Sequence, residues 1–418
     1  MSAALRSNTE QGLALQRQAA AARVLYLDGG SSGASVYGAE RSLLDLAAGM
    51  DVTRFRACCA VLQTASGGYA EALRALGVPV VCCGGPSSPV AAARFTRRLL
   101  SVARRAGADL IHVNSLRLNP YGVVVGRALG MPVICYVQAH VSRRAYFSRL
   151  AFGSQVIAAC SEAVAAPWRR MPTGGQKRLR VVHYGLDTRA FAFSQELRRE
   201  HRARLGLDED TFALGVVSRL SPSKKLEHFL RAFQLACMRE PRLRAFVAGD
   251  APSRWRDYAE GVRQLPGRMG IERKVIFLGY VEEIASLYSA FDAVVAPSDE
   301  EGLGRVPLEA MAAARPVIAA RAGGPTETVV HGETGLLVPP LDPTALAAAI
   351  VRLAGDGTLC RKLGAGGRRR VEERFSLGNY VRAFERVYEE ALRRPARAAS
   401  WRRRDARRMQ EGEAPHAH

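Results

Sequence analysis

The sequence predicts an α/β fold made of two parallel-sheet halves that face each other across a deep cleft. Three observations predict it. Short apolar runs alternate with segments of helical period along most of the chain, the pattern of βαβ units whose strands are covered on both faces. The alternation occurs twice, with a polar, charge-dense break at 194–210 between the two series. At 418 residues, 48% hydrophobic and 24% charged, the chain has room for two or three domains with cores of ordinary size.

In chain order, RVLYLDGG (23–30) leads into the helical GAERSLLDLAAGM (38–50), and FRACCAVL (55–62) leads into YAEALRALG (69–77). VPVVCC, ADLIHVNS, MPVICYVQAH, SQVIAACS and RLRVVHYG complete the first series of strands. FALGVVSRL, RAFVAGD, VIFLGYV, AVVAPS and PVIAA make the second. Each half therefore reads as Rossmann-like, and ligands of such sheets sit beyond the carboxyl ends of the strands. The expected organisation is a disordered N-terminal extension (1–22), an N-terminal half (23–193), a polar linker (194–210), a C-terminal half (211–378), a helix (379–394) and a disordered Arg-rich tail (395–418). Tyr380, Phe384, Val387, Tyr388 and Leu392 form the apolar stripe of that helix.

The net charge of +21 is unevenly placed. Residues 1–190 carry 23 basic and 9 acidic side chains, residues 191–392 carry 29 and 27, and residues 393–418 carry 8 and 3. Such asymmetry points one half at a polyanion, either an anionic membrane or nucleic acid. Arg94/Arg97/Arg98/Arg104/Arg105, Arg143/Arg144/Arg149 and Arg169/Arg170/Lys177/Arg178/Arg180 suit anionic lipid, or equally a solvated Arg-rich surface. Nucleic acid is the weaker partner, because no aromatic-studded basic sheet or reading motif accompanies the charge. No run reaches the roughly 18 uncharged apolar residues that cross a bilayer. Met1 to Arg23 lacks the basic start, apolar middle and cleavage site of a secretory signal. The expectation is a cytoplasmic protein, peripheral at the inner face of the cell membrane if the clusters bind lipid. The eight cysteines, with the adjacent pairs Cys58-Cys59 and Cys82-Cys83 and no CxxC, read as reduced core thiols.

The densest chemistry lies in PSDEEGLGRVPLEAMA (297–312). A strand ends near Pro297, a glycine-containing loop follows, and Pro307 falls in the first turn of an amphipathic helix. Backbone N–H groups around Gly302, Leu303, Gly304 and Val306 then suit a phosphate or a ring of sugar hydroxyls. Glu301 in the loop and Glu309 on the helix supply carboxylates for a sugar and a ribose diol; the alternatives are a loop solvator and a surface helical glutamate. VSRLSPSKK (217–225) sets Arg219 and Lys224 on a turn after a strand, where a planar fork and a point charge converge on a diphosphate or form a solvated basic turn. The loop DGGSSGASVYGAE (28–40), which contains Gly33 and Gly38, permits close backbone approach to a phosphate or sugar but matches neither GxGxxG nor GxxxxGK[ST]. His140, after VICYVQA, either reaches a ligand in the cleft or is a satisfied loop histidine. Asp208-Glu209-Asp210 contains a DxD, but it lies in the polar linker, and no metal site is expected.

Together these residues resemble the retaining GT-B glycosyltransferases of family four, also called glycosyl transferases group 1. The likeness covers nearly all of 24–392 and is most specific over 214–340. The family's E-x7-E element matches Glu301 to Glu309, and its R-L-x-x-x-K signature matches Arg219 to Lys224. FLGYVEEIASLYSAFDAVVAPS and GGPTETVVHGETGLLVPPLDPTALAAAI (323–350) match the stretches on either side. GAERSLLDLA resembles the family's Gly-Gly-Ala-Glu helix start, and VVHYGLD (181–187) its turn after the last N-terminal strand.

The resemblance implies a GT-B fold and the transfer of a sugar from a nucleotide-diphosphate donor to an acceptor hydroxyl, with retained configuration and without cofactor or metal. The acceptor would be a glycan or lipid-linked molecule, in polysaccharide or cell-envelope glycan assembly. Arg219 and Lys224 would neutralise the leaving diphosphate, Glu309 would hold the ribose, and Glu301 with the amides of the following loop would hold the donor sugar. His140 would contact that sugar from the N-terminal half, with Gly38 and Gly33 near the diphosphate. The chain departs from the family pattern at Ser218, Lys225, Tyr37 and Ala314, which stand where glycines are usual. No charged site residue is lost. An inverting GT-B transferase, a non-catalytic GT-B scaffold and a basic nucleic-acid-binding protein are the competing readings.

Overall fold

The computed structural model describes residues 21–30, 36–64, 67–140, 153–170 and 178–393. The first sheet has seven strands: β1 (Ala22–Asp28), β2 (Phe55–Leu62), β3 (Val80–Cys82), β4 (Leu110–Val113), β5 (Val133–Val137), β6 (Val156–Ala159) and β7 (Leu179–Val181). They run parallel in the order β3-β2-β1-β4-β5-β6-β7. Helices α1 (Gly38–Gly49), α2 (Gly68–Ala75), α3 (Pro89–Arg105), α4 (Asn119–Leu129) and α5 (Glu162–Arg169) connect them. Every residue of β4, β5 and β6 is buried, which is why these strands are continuous apolar runs and not alternating ones.

The second sheet repeats the plan with β8 (Phe212–Val217), β9 (Leu243–Ala248), β10 (Val275–Gly279), β11 (Ala293–Ala296), β12 (Val317–Ala320) and β13 (Gly335–Val338), in the order β10-β9-β8-β11-β12-β13. After α6 (Gln195–Arg204), its helices are α7 (Leu226–Cys237), α8 (Arg256–Arg268), the short α9 (Ile284–Leu287), α10 (Arg305–Ala312), the short α11 (Pro325–Thr328), α12 (Pro343–Gly355), α13 (Gly357–Arg374) and α14 (Leu377–Arg393). In both sheets the first strand pairs with the fourth, β1 with β4 and β8 with β11. That reversal of strand order opens a crevice at the strands' carboxyl ends. The segments after β8 and β11 are those holding Arg219, Lys224 and Glu301.

Three segments differ from the sequence expectation. The stretch 194–210 is not an open linker: it folds as α6 and is tied to the C-terminal half. Arg198 Nη2 lies 2.6 Å from Asp292 Oδ1 and Arg202 Nη1 lies 3.2 Å from Asp292 Oδ2. QELRREHRAR has no apolar stripe to betray such docking, because ion pairs hold it. GLLV (335–338) adds β13, a strand outside the expected series. The final helix starts at Leu377 and crosses back to the N-terminal sheet, where Phe384 packs edge-on to Tyr136 at 4.9 Å between ring centres. Leu392 is 36% exposed, and Ala391 takes the inward position of the stripe. No helix among the described residues is long and apolar enough to cross a membrane. The eight cysteines are free thiols, and burial pushes Cys135 and Cys160 up to about 12.

The back-crossing helix meets a fully buried histidine. His112 Nδ1 is 2.6 Å from Tyr388 Oη, and burial pushes His112 down to about 3. In the unfolded chain the same imidazole titrates near ~6.5. Its contribution to stability is therefore complete above that value and is lost as the pH falls toward 3, at up to about 1.4 kcal/mol per pH unit. Urea denaturation at stepped pH values from 7 to 4 should show a shallower loss of stability in His112→Gln than in the wild type. Parallel curves would contradict the assignment.

Candidate active site

A cavity of about 600 Å³ lies between the two sheets' carboxyl ends and is lined from both halves. The C-terminal half contributes Arg219 just after β8, Lys224 at the end of a short 3-10 turn (Pro222–Lys224), and the loop from Ser298 into α10. The N-terminal half contributes Tyr37 and Gly38 at the start of α1, and Gln138 and His140 after β5. Arg219, Lys224, Glu301, Gly302, Leu303, Val306, Glu309, Gly38 and His140 thus share one cavity. Gly304 is the buried N-cap of α10 beside it. Gly33 lies outside the described residues.

The charges are arranged in three groups. Lys224 Nζ pairs with Glu301 Oε1. The Arg219 guanidinium lies 5.3 Å from the centre of the Tyr37 ring, across the cleft, and has no carboxylate partner among the described residues. Glu309 is 6% exposed, so it is not a surface helical glutamate. Its Oε1 accepts from Arg305 Nε at 2.7 Å and its Oε2 from Tyr288 Oη at 2.8 Å. Arg305 Nη1 in turn stands 2.9 Å from Asp45 Oδ2, on α1 of the other half. Burial alone would lower the Arg305 guanidinium, but Asp45 and Glu309 outweigh it and hold it above its ordinary value. A carboxylate oxygen has two lone pairs, so Glu309 retains acceptor sites for a diol.

The loop before α10 is wedged between the halves. A Cβ on Gly302 would fall 2.1 Å from the Gln138 carbonyl oxygen, so only glycine fits there. Gly304 has φ +91°, which turns the chain into the helix. The first amides of α10 have no acceptor within the helix and carry its positive dipole end. His140 Nε2 lies 3.2 Å from the Glu301 carbonyl oxygen, and Ser161 Oγ donates to the Gly302 carbonyl at 2.6 Å. Nearby, the Glu327 carboxylate accepts the N–H groups of Glu162 and Ala163, both at 2.9 Å, and lies 3.0 Å from His183 Nε2. Burial alone would raise Glu327, yet His183 and the two amides hold it below the usual carboxylate range.

Arg305, Asp45, Ser161 and Glu327 were not singled out from the sequence. Arg305 and Glu309 did carry a signal in their i,i+4 spacing. Contacts between halves, such as Asp45 to Arg305, leave none in a single chain read linearly. Asp208 of the DxD accepts from the Thr211 backbone N–H at 2.8 Å and from its hydroxyl, a local cap outside the cleft. Among the described residues no group of three His, Cys, Asp or Glu side chains is placed to hold a metal ion.

Replacing Arg305 by Ala strands the buried Glu309 carboxylate and the partly buried Asp45 carboxylate. Arg305→Ala should lose about 3 to 5 kcal/mol of stability by chemical denaturation, whereas Arg204→Ala in the exposed pair with Glu200 should lose under about 1 kcal/mol. Equal losses would show that the buried group is not structural.

Residues 211–356 match the family profile described as Glycosyl transferases group 1, and residues 36–190 that described as Glycosyltransferase Family 4. The D-inositol 3-phosphate glycosyltransferase of Acidothermus cellulolyticus is 31% identical over 317 residues, 70% of this chain and 70% of that protein. The uncharacterized glycosyltransferase MJ1607 of Methanocaldococcus jannaschii is 30% identical over 221 residues, 52% of this chain. The chain spans about half the length of several such curated relatives, 55% of MJ1607 and 48% of a Streptomyces bingchenggensis D-inositol 3-phosphate glycosyltransferase. The crystal structure of Anabaena Alr3699/HepE in complex with UDP superposes with a TM-score of 0.77 at 25% identity, covering 88% of this chain and 100% of that one. Two parallel sheets meeting at a shared cleft, the charged constellation within it and these likenesses place the chain in glycosyltransferase family 4, the glycosyl transferases group 1, with the GT-B fold.

Proposed function

We propose that this chain transfers a sugar from a nucleoside-diphosphate donor to an acceptor hydroxyl, with retention of anomeric configuration. The observation that carries the reading is the convergence of Arg219, Lys224, the start of α10, Glu301 and Glu309 on one cleft between the halves. The UDP bound to the Anabaena relative supports a nucleoside diphosphate as the donor's leaving group.

In this reading the diphosphate lies against Arg219 and Lys224, with its negative charge near the first amides of α10. As the bond from the anomeric carbon to the phosphate oxygen lengthens, negative charge builds on that oxygen and positive charge on the sugar ring. Two fixed cations and the helix start lower the energy of that separation without any reorganisation at the moment of reaction. The acceptor hydroxyl attacks from the face the diphosphate leaves, and its proton passes to the departing phosphate oxygen. The new carbon–oxygen bond therefore replaces the old one on the same face, and no side-chain nucleophile is required. Glu301 accepts donor-sugar hydroxyls, Glu309 the ribose diol, and His140 steadies the loop through the Glu301 carbonyl. The protein's own cations supply the charge that a divalent ion would otherwise supply, so the reaction is read as metal-independent.

The acceptor is read as a glycan or lipid-linked molecule of the cell envelope. The supporting observation is α3, whose Arg94, Arg97, Arg98, Arg104 and Arg105 all stand exposed while Phe95, Leu99 and Val102 face inward. Each such charge near an anionic membrane contributes about 1 kcal/mol of attraction. Vesicles rich in anionic lipid should therefore co-sediment the protein at low salt and release it at high salt; absence of binding at low salt would end the membrane reading.

Removing a preorganised charge of this kind costs about 100- to 1,000-fold in turnover. Lys224→Ala should lose that much activity on a nucleotide-sugar panel. UDP or GDP should raise the melting temperature of the wild type. Full activity in Lys224→Ala would overturn the mechanism, and no shift with any nucleoside diphosphate would overturn the donor class.

A further inference from the structure

Lys225, the residue after Lys224, has φ +53° and ψ 38°, the left-handed region that glycine fills without strain. It is one of three non-glycine residues with positive φ among the described residues, beside Ala314 and Leu341. It stands where the family pattern has glycine, so the chain keeps a lysine at a position whose backbone disfavours one. Strain of this kind gathers at functional sites.

The Lys225 side chain lines a second cavity of about 350 Å³, which opens beside the main cleft and shares Arg219, Ser223 and Glu300 with it. Arg254 and Trp255, at the turn into α8, close the other side, with the Arg254 guanidinium 5.7 Å from the Trp255 ring centre. The Ser221 and Ser223 hydroxyls stand 3.2 Å apart in its wall. Lys225, Arg254 and the shared Arg219 thus line it together with one acidic residue, Glu300. Lys225 Nζ also lies 3.5 Å from Asp299 Oδ1, an oxygen that is buried without a hydrogen bond. A flat indole beside cations and hydroxyls is the lining that a charged pyranose needs: an apolar face for its C–H groups, cations for its acid and hydroxyls for its own.

We infer that this cavity is a subsite for an anionic sugar, a hexuronate or hexose phosphate, carried by the acceptor. Trp255 bears the ring, and Lys225 and Arg254 bear the charge. The assignment to the acceptor rests on the proposed transferase reading, in which Arg219, Lys224, Glu301 and Glu309 are engaged by the donor, leaving Lys225 and Arg254 to the second cavity. The sugar-binding property itself does not rest on it.

The test is calorimetric titration of the full chain with glucuronate, glucose 6-phosphate, glucose and inorganic phosphate, each with and without saturating UDP. At least one of the two charged sugars should bind whether or not UDP is present and, with UDP saturating, more tightly than glucose or inorganic phosphate. The sugar that binds identifies the acid. Lys225→Gly, Arg254→Gln and Trp255→Ala should each weaken that sugar by about three- to tenfold. Arg254→Gln and Trp255→Ala should leave UDP binding unchanged. With UDP saturating the main cleft, glucose or phosphate binding as tightly as both charged sugars would overturn the inference. So would competition of the charged sugar with UDP, or affinities that the three substitutions leave unchanged. Absence of UDP binding alongside charged-sugar binding that the substitutions weaken would overturn the transferase reading and leave the subsite standing.

Discussion

The loop from Glu301 to Gly304 is held by both halves of the molecule, and the site exists only where they meet. Its carbonyls are engaged from the N-terminal half, Glu301 by His140 and Gly302 by Ser161, while its chain runs directly into α10 of the C-terminal half. The contact is so close that the Gln138 carbonyl occupies the space a side chain at 302 would need. The contacts that join the halves therefore also position the start of α10. The Glu327 carboxylate, seated on the first amides of α5, belongs to the same seam.

The buried charge at this seam has a comparable effect. Asp45, Arg305 and Glu309 link α1 to α10, and the pairing holds the Glu309 carboxylate in the cleft. Such a group adds little net stability over an apolar replacement of similar shape. It fixes the register between the halves and keeps Glu309 oriented by two donors, Arg305 and Tyr288. The return of α14 to the N-terminal sheet adds an apolar tie on the far side, through Phe384 and Tyr388. Cleft-side ion pairs and far-side aromatic packing together set how the two sheets face each other.

Much of the fold was legible because buried parallel strands are written as continuous apolar runs, and FRACCAVL falls at the residues of β2. The position of Arg219, Lys224 and Glu301 at the cleft was legible because they follow strands whose carboxyl ends face it. What was not legible lacks a periodic signal. The helix α6 reads as a linker because its docking is ionic, through Arg198, Arg202 and Asp292. Glu309 reads equally as surface or site until Tyr288 and Arg305 are seen around it. Ser161 and Glu327 are ordinary residues in sequence and acquire meaning only through partners more than a hundred positions away.

In the proposed reaction a diphosphate is the group that Arg219 and Lys224 recognise. The most direct measurement compares the affinities of UDP and uridine for the wild type and for the Arg219→Gln/Lys224→Ala double variant. The wild type should bind UDP about a hundredfold more tightly than uridine, a difference of about 2.7 kcal/mol, and the double variant should lose most of that preference. An undiminished preference in the double variant, or none in the wild type, would contradict the account.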